Sequence, residues 1–161
     1  MRRLRAALVV ALLLTAAAGC RDDEPTVLAV ANCPSFGYDA TALDPIVEIL
    51  PDKDSVVVGD TFGGEAFFTN TYSRRINITH VGSVQVVLFH QGTTDPAAIF
   101  VGTLPSPALG LFLEPGETKA LPINGGTVAC GGPSRLAPGV YDMRVPLTAG
   151  LSDPFPITVA E

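Results

Sequence analysis

The chain is poor in the residues from which active sites are usually assembled. Among its 161 residues there are two histidines, three cysteines and no tryptophan. The histidines, His80 and His90, stand ten positions apart with no cysteine or second histidine at ligand spacing, which argues against a zinc or histidine-based catalytic centre. No serine sits in a Gly-x-Ser-x-Gly elbow. Asp52, Asp54 and Asp60 lack the glycine and distal glutamate of a calcium loop. The pairs Gly125-Gly126 and Gly131-Gly132 open no helix that would cradle phosphate, and Asn124-Gly125 reads as a hairpin turn. A helical period is nowhere sustained over ten residues, and beyond residue 20 no apolar run free of charge and proline approaches the roughly 20 residues that span a bilayer. Catalytic, metal and cofactor roles are therefore not expected.

What the chain does have begins at its first residue. Met1-Arg2-Arg3-Leu4-Arg5 is basic, and residues 6–19 carry no charge and one polar side chain, Thr15. A basic head, an apolar middle and small residues at a cut site make a secretory signal. The cut site reads Ala17-Ala18-Gly19-Cys20. It resembles the lipobox of bacterial lipoproteins, although Ala17 stands where that family prefers leucine. The resemblance implies cleavage before Cys20, diacylglycerol on the Cys20 sulfur, and anchoring on the extracytoplasmic side of a membrane in the bacterial cell envelope. Two or three acyl chains there would make attachment effectively permanent. The alternative is an ordinary signal peptide cut after Ala16-Ala17-Ala18.

Removing residues 1–19 takes Arg2, Arg3 and Arg5 with it. Of 10 basic and 16 acidic side chains, seven and 16 remain, a formal charge of −9. Such a surface disfavours nucleic acid and anionic lipid as partners. With Cys20 lipidated, Cys33 and Cys130 are left in an oxidising compartment, where a disulfide is expected; two free thiols are the alternative.

Residues 20–43 read as the lipidated cysteine, a charged spacer and a segment of ambiguous structure, with residues 27–31 apolar enough for an edge strand. Residues 44–161 read as one domain. Short apolar runs alternate with turns such as Pro51-Asp52-Lys53-Asp54 and Glu114-Pro115-Gly116-Glu117. Ile76 and Ile78 alternate with Asn77 and Thr79. Residues 84–90 are apolar throughout, as in a central strand. Tyr141, Met143, Val145 and Leu147 share one face, with Asp142 and Arg144 on the other. Eight or nine short strands in about 118 residues predict a single antiparallel immunoglobulin-like β-sandwich. Pro138-Gly139-Val140-Tyr141 sets a tight turn, after which Tyr141 is expected either to form a tyrosine corner or to be a plain core residue.

Phe68-Thr69-Asn70, Leu113-Glu114-Pro115-Gly116-Glu117 and Pro138-Gly139-Val140-Tyr141 together resemble, in order and spacing, the framework of the bacterial intracellular proteinase inhibitor family across residues 44–147. The resemblance implies an immunoglobulin-like scaffold and, for function, a loop presented to a protease. Export and the lack of tryptophan set this chain apart from that family.

The leading expectation is thus a membrane-anchored, non-catalytic binding or structural module whose partner is an envelope protein or ligand. A protease inhibitor is the alternative. The candidate contact surface is the run from Leu104 through Pro105, Pro107 and Gly110 to Leu113, with Leu109, Leu111 and Phe112 as contact residues. Two prolines and a glycine make it irregular, so it is expected as a stiffened apolar loop, whose proline content would reduce the entropy lost on binding. The competing expectation is that these leucines merely cap an open end of the sandwich.

Overall fold

Alternation of apolar and polar residues decides the architecture in the computed structural model, which describes residues 33, 35–102, 108–131 and 135–161. Among the described residues there is no helix, and the chain forms short strands: β1 Ile46–Pro51, β2 Ser55–Val57, β3 Thr61–Phe62, β4 Gly64–Thr69, β5 Ile76–His80, β6 Val84–Gln85, β7 Val87–His90, β8 Pro96–Ile99, β9 Leu109–Leu113, β10 Thr118–Gly126, β11 Val128–Ala129, β12 Gly139–Arg144 and β13 Phe155–Ala160. One sheet runs β1-β4-β10-β3, with β6 beside β10; the second runs β11-β8-β7-β12-β13-β2; β5 and β9 make a separate two-stranded ribbon.

The two larger sheets face each other across one core. From the first come Val47, Ile49, Ala66, Phe68, Leu121 and Ile123; from the second come Val56, Leu88, Met143, Ile157 and Val159, all buried. Each large side chain fully removed from water there contributes about 1.5–3 kcal/mol. The fold is an all-β, sandwich-like one. Two pairings depart from the antiparallel expectation: β2 lies parallel to β13, and β6 parallel to β10.

The strand count exceeds the sequence expectation because several runs are divided between sheets. Residues 84–90 are not one central strand. β6 pairs with β10 in the first sheet and β7 with β8 and β12 in the second, so the chain changes sheet at Val86, whose N–H donates to the Asn124 carbonyl at 3.0 Å. The chain crosses again between β2 and β3, and between β10 and β11. Thr127, fully buried, ties these last two corners together. Its hydroxyl accepts the Gly59 N–H at 2.7 Å and lies 3.0 Å from the Asp60 carbonyl, to which its backbone N–H also donates.

Asn124-Gly125 is not the hairpin turn its sequence predicts. β10 continues through it because the Phe62 ring from β3 packs against Gly125, and the backbone of Ile99 and Phe100 lies against Gly126. A Cβ at either position would have no room, so the glycines mark close approach inside a strand. The boundary of the folded part also moves. Residues 35–43 form no strand, yet they pack on the outer face of the second sheet. Phe36 covers Phe89 with ring centroids 6.2 Å apart, beside Val87 and Ile99. The Asp39 N–H donates to the Thr148 carbonyl at 2.8 Å, and the Asp44 carboxylate accepts the N–H groups of Thr148 and Ala149. This strap belongs to the domain, which therefore starts before residue 44.

Candidate functional site

The ribbon of β5 and β9 is built by two alternating pentapeptides, Ile76-Asn77-Ile78-Thr79-His80 and Leu109-Gly110-Leu111-Phe112-Leu113, paired antiparallel with Ile76 opposite Leu113 and His80 opposite Leu109. Its inner face peels away from the sandwich along its length. Ile76 and Leu113 are buried, Ile78 and Leu111 are partly buried against the core, and at the tip Leu109 is 47% exposed. On the outer face Phe112 is 48% exposed, with the Arg75 guanidinium 4.9 Å from its ring centre. A cation over an exposed ring adds about 0.5–1 kcal/mol and holds the ring in place. Gly110 makes that pose possible, since a Cβ there would press on both Phe112 and the Asn77 amide oxygen.

The ribbon is thus a strand pair where the sequence predicts an irregular loop. Alternation in residues 109–113 outweighs Gly110, while the two prolines, Pro105 and Pro107, lie outside the described residues together with Leu104. Of the three expected contact residues, Leu109 and Phe112 are open and on opposite faces, and Leu111 packs inward.

Asn70 fixes the base of the ribbon. Fully buried, its side-chain amide donates to the carbonyls of Arg74 and Leu113 at 2.8 and 2.9 Å and its oxygen accepts the Tyr72 N–H at 2.9 Å. Beside it the Lys119 ammonium donates to the Phe112 carbonyl at 2.7 Å and pairs with Glu117 at 3.0 Å. The Glu114 N–H bond, then Lys119, hold the Glu117 carboxyl below the usual carboxylate range. Phe68-Thr69-Asn70 is one of the motifs behind the family resemblance; that its amide joins two turns 43 residues apart was not legible in the sequence.

The other expected sites lie elsewhere. Cys33 and Cys130 are joined in a disulfide with alpha carbons 5.2 Å apart, fastening the strap to the segment after β11. Tyr141 is buried, and its hydroxyl donates to the Ala137 carbonyl at 2.7 Å, four residues back; burial raises its pKa above the usual phenol value. Cys20 and all of residues 1–32, with the edge strand expected at 27–31, lie outside the described residues. His80 and His90 sit in different sheets. The Nδ1 of His80 accepts the Gly82 N–H at 3.1 Å, and His90 packs beside the Tyr141 ring. Among the described residues no three His, Cys, Asp or Glu side chains gather to hold a metal.

No family model matches the sequence, and neither does any curated protein. Solved structures similar to it include a β-glucosidase from Erythrobacter marinus, with a TM-score of 0.45 and 18% identity over 78% of this chain and 15% of that one. A β-glucosidase from Listeria innocua gives a TM-score of 0.42 at 16% identity, over 73% of this chain. A β-glucosidase involved in saponin metabolism from intestinal bacteria gives 0.43 at 19%, again over 73%. The chain spans about one sixth of the length of each of the latter two, at 16%. At those scores the likeness says nothing about activity.

Proposed function

We propose that the protein is a lipid-anchored, extracytoplasmic module that binds an envelope partner through its β5–β9 ribbon and performs no chemistry of its own. The observation that carries this reading is the exposure of Leu109 and Phe112 on a two-stranded ribbon that is hydrogen-bonded to neither larger sheet. Exposed apolar side chains on both faces of so small an element offer a partner contacts on either side, which supports a binding role. Anchoring rests on the basic start, the apolar stretch and Cys20 after Ala17-Ala18-Gly19.

Both halves are open to test. Cys20→Ala is expected to abolish lipid labelling and leave an uncleaved precursor, whereas normal processing together with an unlipidated wild type overturns the anchor. For the module, the delipidated domain is used to capture partners from envelope extracts, with Leu109→Asp as the control; capture that ignores the substitution removes the ribbon from the interface. Protease inhibition by the same domain, lost in Leu109→Asp, would favour the inhibitor reading that the proline-flanked run before β9 carries.

A further inference from the structure

The geometry points to the unpaired edge of β5 as the docking line for an extended, acidic peptide segment of the partner, an inference that rests on the binding-module reading above. β5 pairs with β9 on one side only. Among the described residues, no backbone hydrogen bond engages its other side. Strand edges of that kind are templates for a further strand, and proteins that must not use them block them.

The contrast with β1, also an edge strand, is instructive. Its exposed face carries Ile46 and Leu50, but Glu48 stands between them, and Pro45 and Pro51 close its two ends. Those are the usual protections of an edge. Among the described residues β5 carries no such charge or proline, and its exposed side chains, Asn77 and Thr79, are neutral and small.

Two hollows succeed one another along this edge. Beside Ile76 and Asn77 a groove of about 330 Å³ is bounded by Leu43, Thr148, Arg74 and Arg75. Beside Ile78 and His80 a second, of about 300 Å³ and mainly apolar, has Val84, Phe36 and Pro146 among its walls, with Ser83 and Gln85 beside them. An added strand places alternate side chains into such hollows while its backbone pairs with β5.

Charge chooses the occupant. The whole chain is acidic, with a net formal charge of −6, so two copies repel one another. Yet Arg74 and Arg75 stand adjacent and exposed at one end of this edge. Arg75 lies over the Phe112 ring and reaches Glu114 only at 3.8 Å, with both side chains mostly in water, while Arg74 enters no ion pair among the described residues. A segment antiparallel to β5 would bring its C-terminal end to the arginines. Carboxylates there, and apolar or β-branched side chains toward Ile78 and Val84, complement the line.

The probe is a terminally blocked peptide of alternating valine and threonine ending in two aspartates, compared with the same peptide ending in two lysines. Amide shifts on titration into the isotope-labelled domain are expected at Asn77, Ile78 and Thr79, for the aspartate peptide only. Its affinity should fall about tenfold in Arg74→Glu/Arg75→Glu, the usual scale for losing a charge-assisted pair. The wild-type shift map needs no substitution, and an unchanged melting temperature shows that the double variant folds. Equal binding of the lysine peptide, shifts confined elsewhere, no binding at millimolar peptide, or a double variant that binds normally each overturns the proposal. So does a β5-mediated dimer in sedimentation, which would make a second copy the occupant. Envelope capture that depends on Leu109 while the aspartate peptide fails to bind β5 would overturn the acidic-strand inference and leave the binding module standing.

Discussion

The outer face of the second sheet and the tip of the β5–β9 ribbon both carry apolar side chains outside the main core, and the chain treats them in opposite ways. On the second sheet, Val87, Phe89 and Ile99 form a patch that would face water, and the chain covers it itself. Phe36 lies over Phe89, Asp39 and Asp44 bond to the β12–β13 connection, and the Cys33–Cys130 bridge pins the covering strap. On the ribbon, Leu109 and Phe112 stay open, while Ile76 and Leu113 anchor its base in the core and Asn70 and Lys119 bond to it there. A cover secured by a bridge is a device for stability. An apolar surface left bare on a rigidly based ribbon suits the binding role proposed above, because order before binding reduces the entropy that binding costs.

The largest test of this contrast is the bridge. It joins residues with a sequence separation of 97, a loop for which the chain-entropy argument gives about 4–5 kcal/mol as an upper figure. Cys33→Ala/Cys130→Ala should therefore lower the unfolding free energy, read from denaturant titration, by a large part of that amount. Amide exchange should rise first in residues 35–43 and in β7, while the ribbon keeps its protection. Equal loosening of both regions would show that the strap is no separate cover.

Next in size is Asn70→Ala. Two donors and one acceptor of a fully buried amide vanish and leave the carbonyl of Leu113 without that partner. Unmade buried bonds cost about 1–3 kcal/mol, and the ribbon should detach locally before the sandwich melts. Exchange rates in β5 and β9, compared with β12 and β13, measure it; loss confined to β12 and β13 would contradict the assignment.

The sandwich was legible in the sequence because each strand alternates: Val47 and Ile49 in β1, Tyr141 and Met143 in β12, Ile157 and Val159 in β13 all fall buried as their period requires. What the sequence hid were non-local events. Residues 84–90 look like one strand because both sheets are apolar, and only the tertiary fold divides them at Val86. Gly125 and Gly126 carry turn chemistry, yet the Phe62 ring and the β8 backbone give them another purpose. Gly110 and the prolines before it made the candidate surface look like a loop. The pairing partner that turns it into a strand lies some 30 residues earlier, and single-strand periodicity cannot see a partner.

Tyr141→Phe tests the covered side more gently. One hydrogen bond, from its hydroxyl to Ala137, is removed with little change in packing, so about 1 kcal/mol should be lost. Burial raises the phenol above its usual pKa, so the folded state favours the protonated form. That contribution is present below the unfolded pKa near 10 and declines as pH rises through the higher folded value. Wild type should lose stability in that alkaline window more steeply than Tyr141→Phe. Parallel alkaline curves would mean that the hydroxyl is not held as described.

The smallest expected effect is on the open side, and it discriminates most sharply. Leu109 ends the inner face of the ribbon, is 47% exposed, and lies opposite His80, where no core side chain depends on it. Substitutions at such positions usually change stability by no more than about 0.5 kcal/mol. Leu109→Asp should therefore melt with the wild type while losing capture of the envelope partner. Phe112→Ser should behave alike, with a slightly larger stability change because the Arg75 guanidinium loses its ring. The comparison fails if Leu109→Asp destabilises the domain by as much as Asn70→Ala. Leu109 would then be part of the fold's cover, as Phe36 is on the other side, and the two surfaces would differ only in how completely the chain has closed over them.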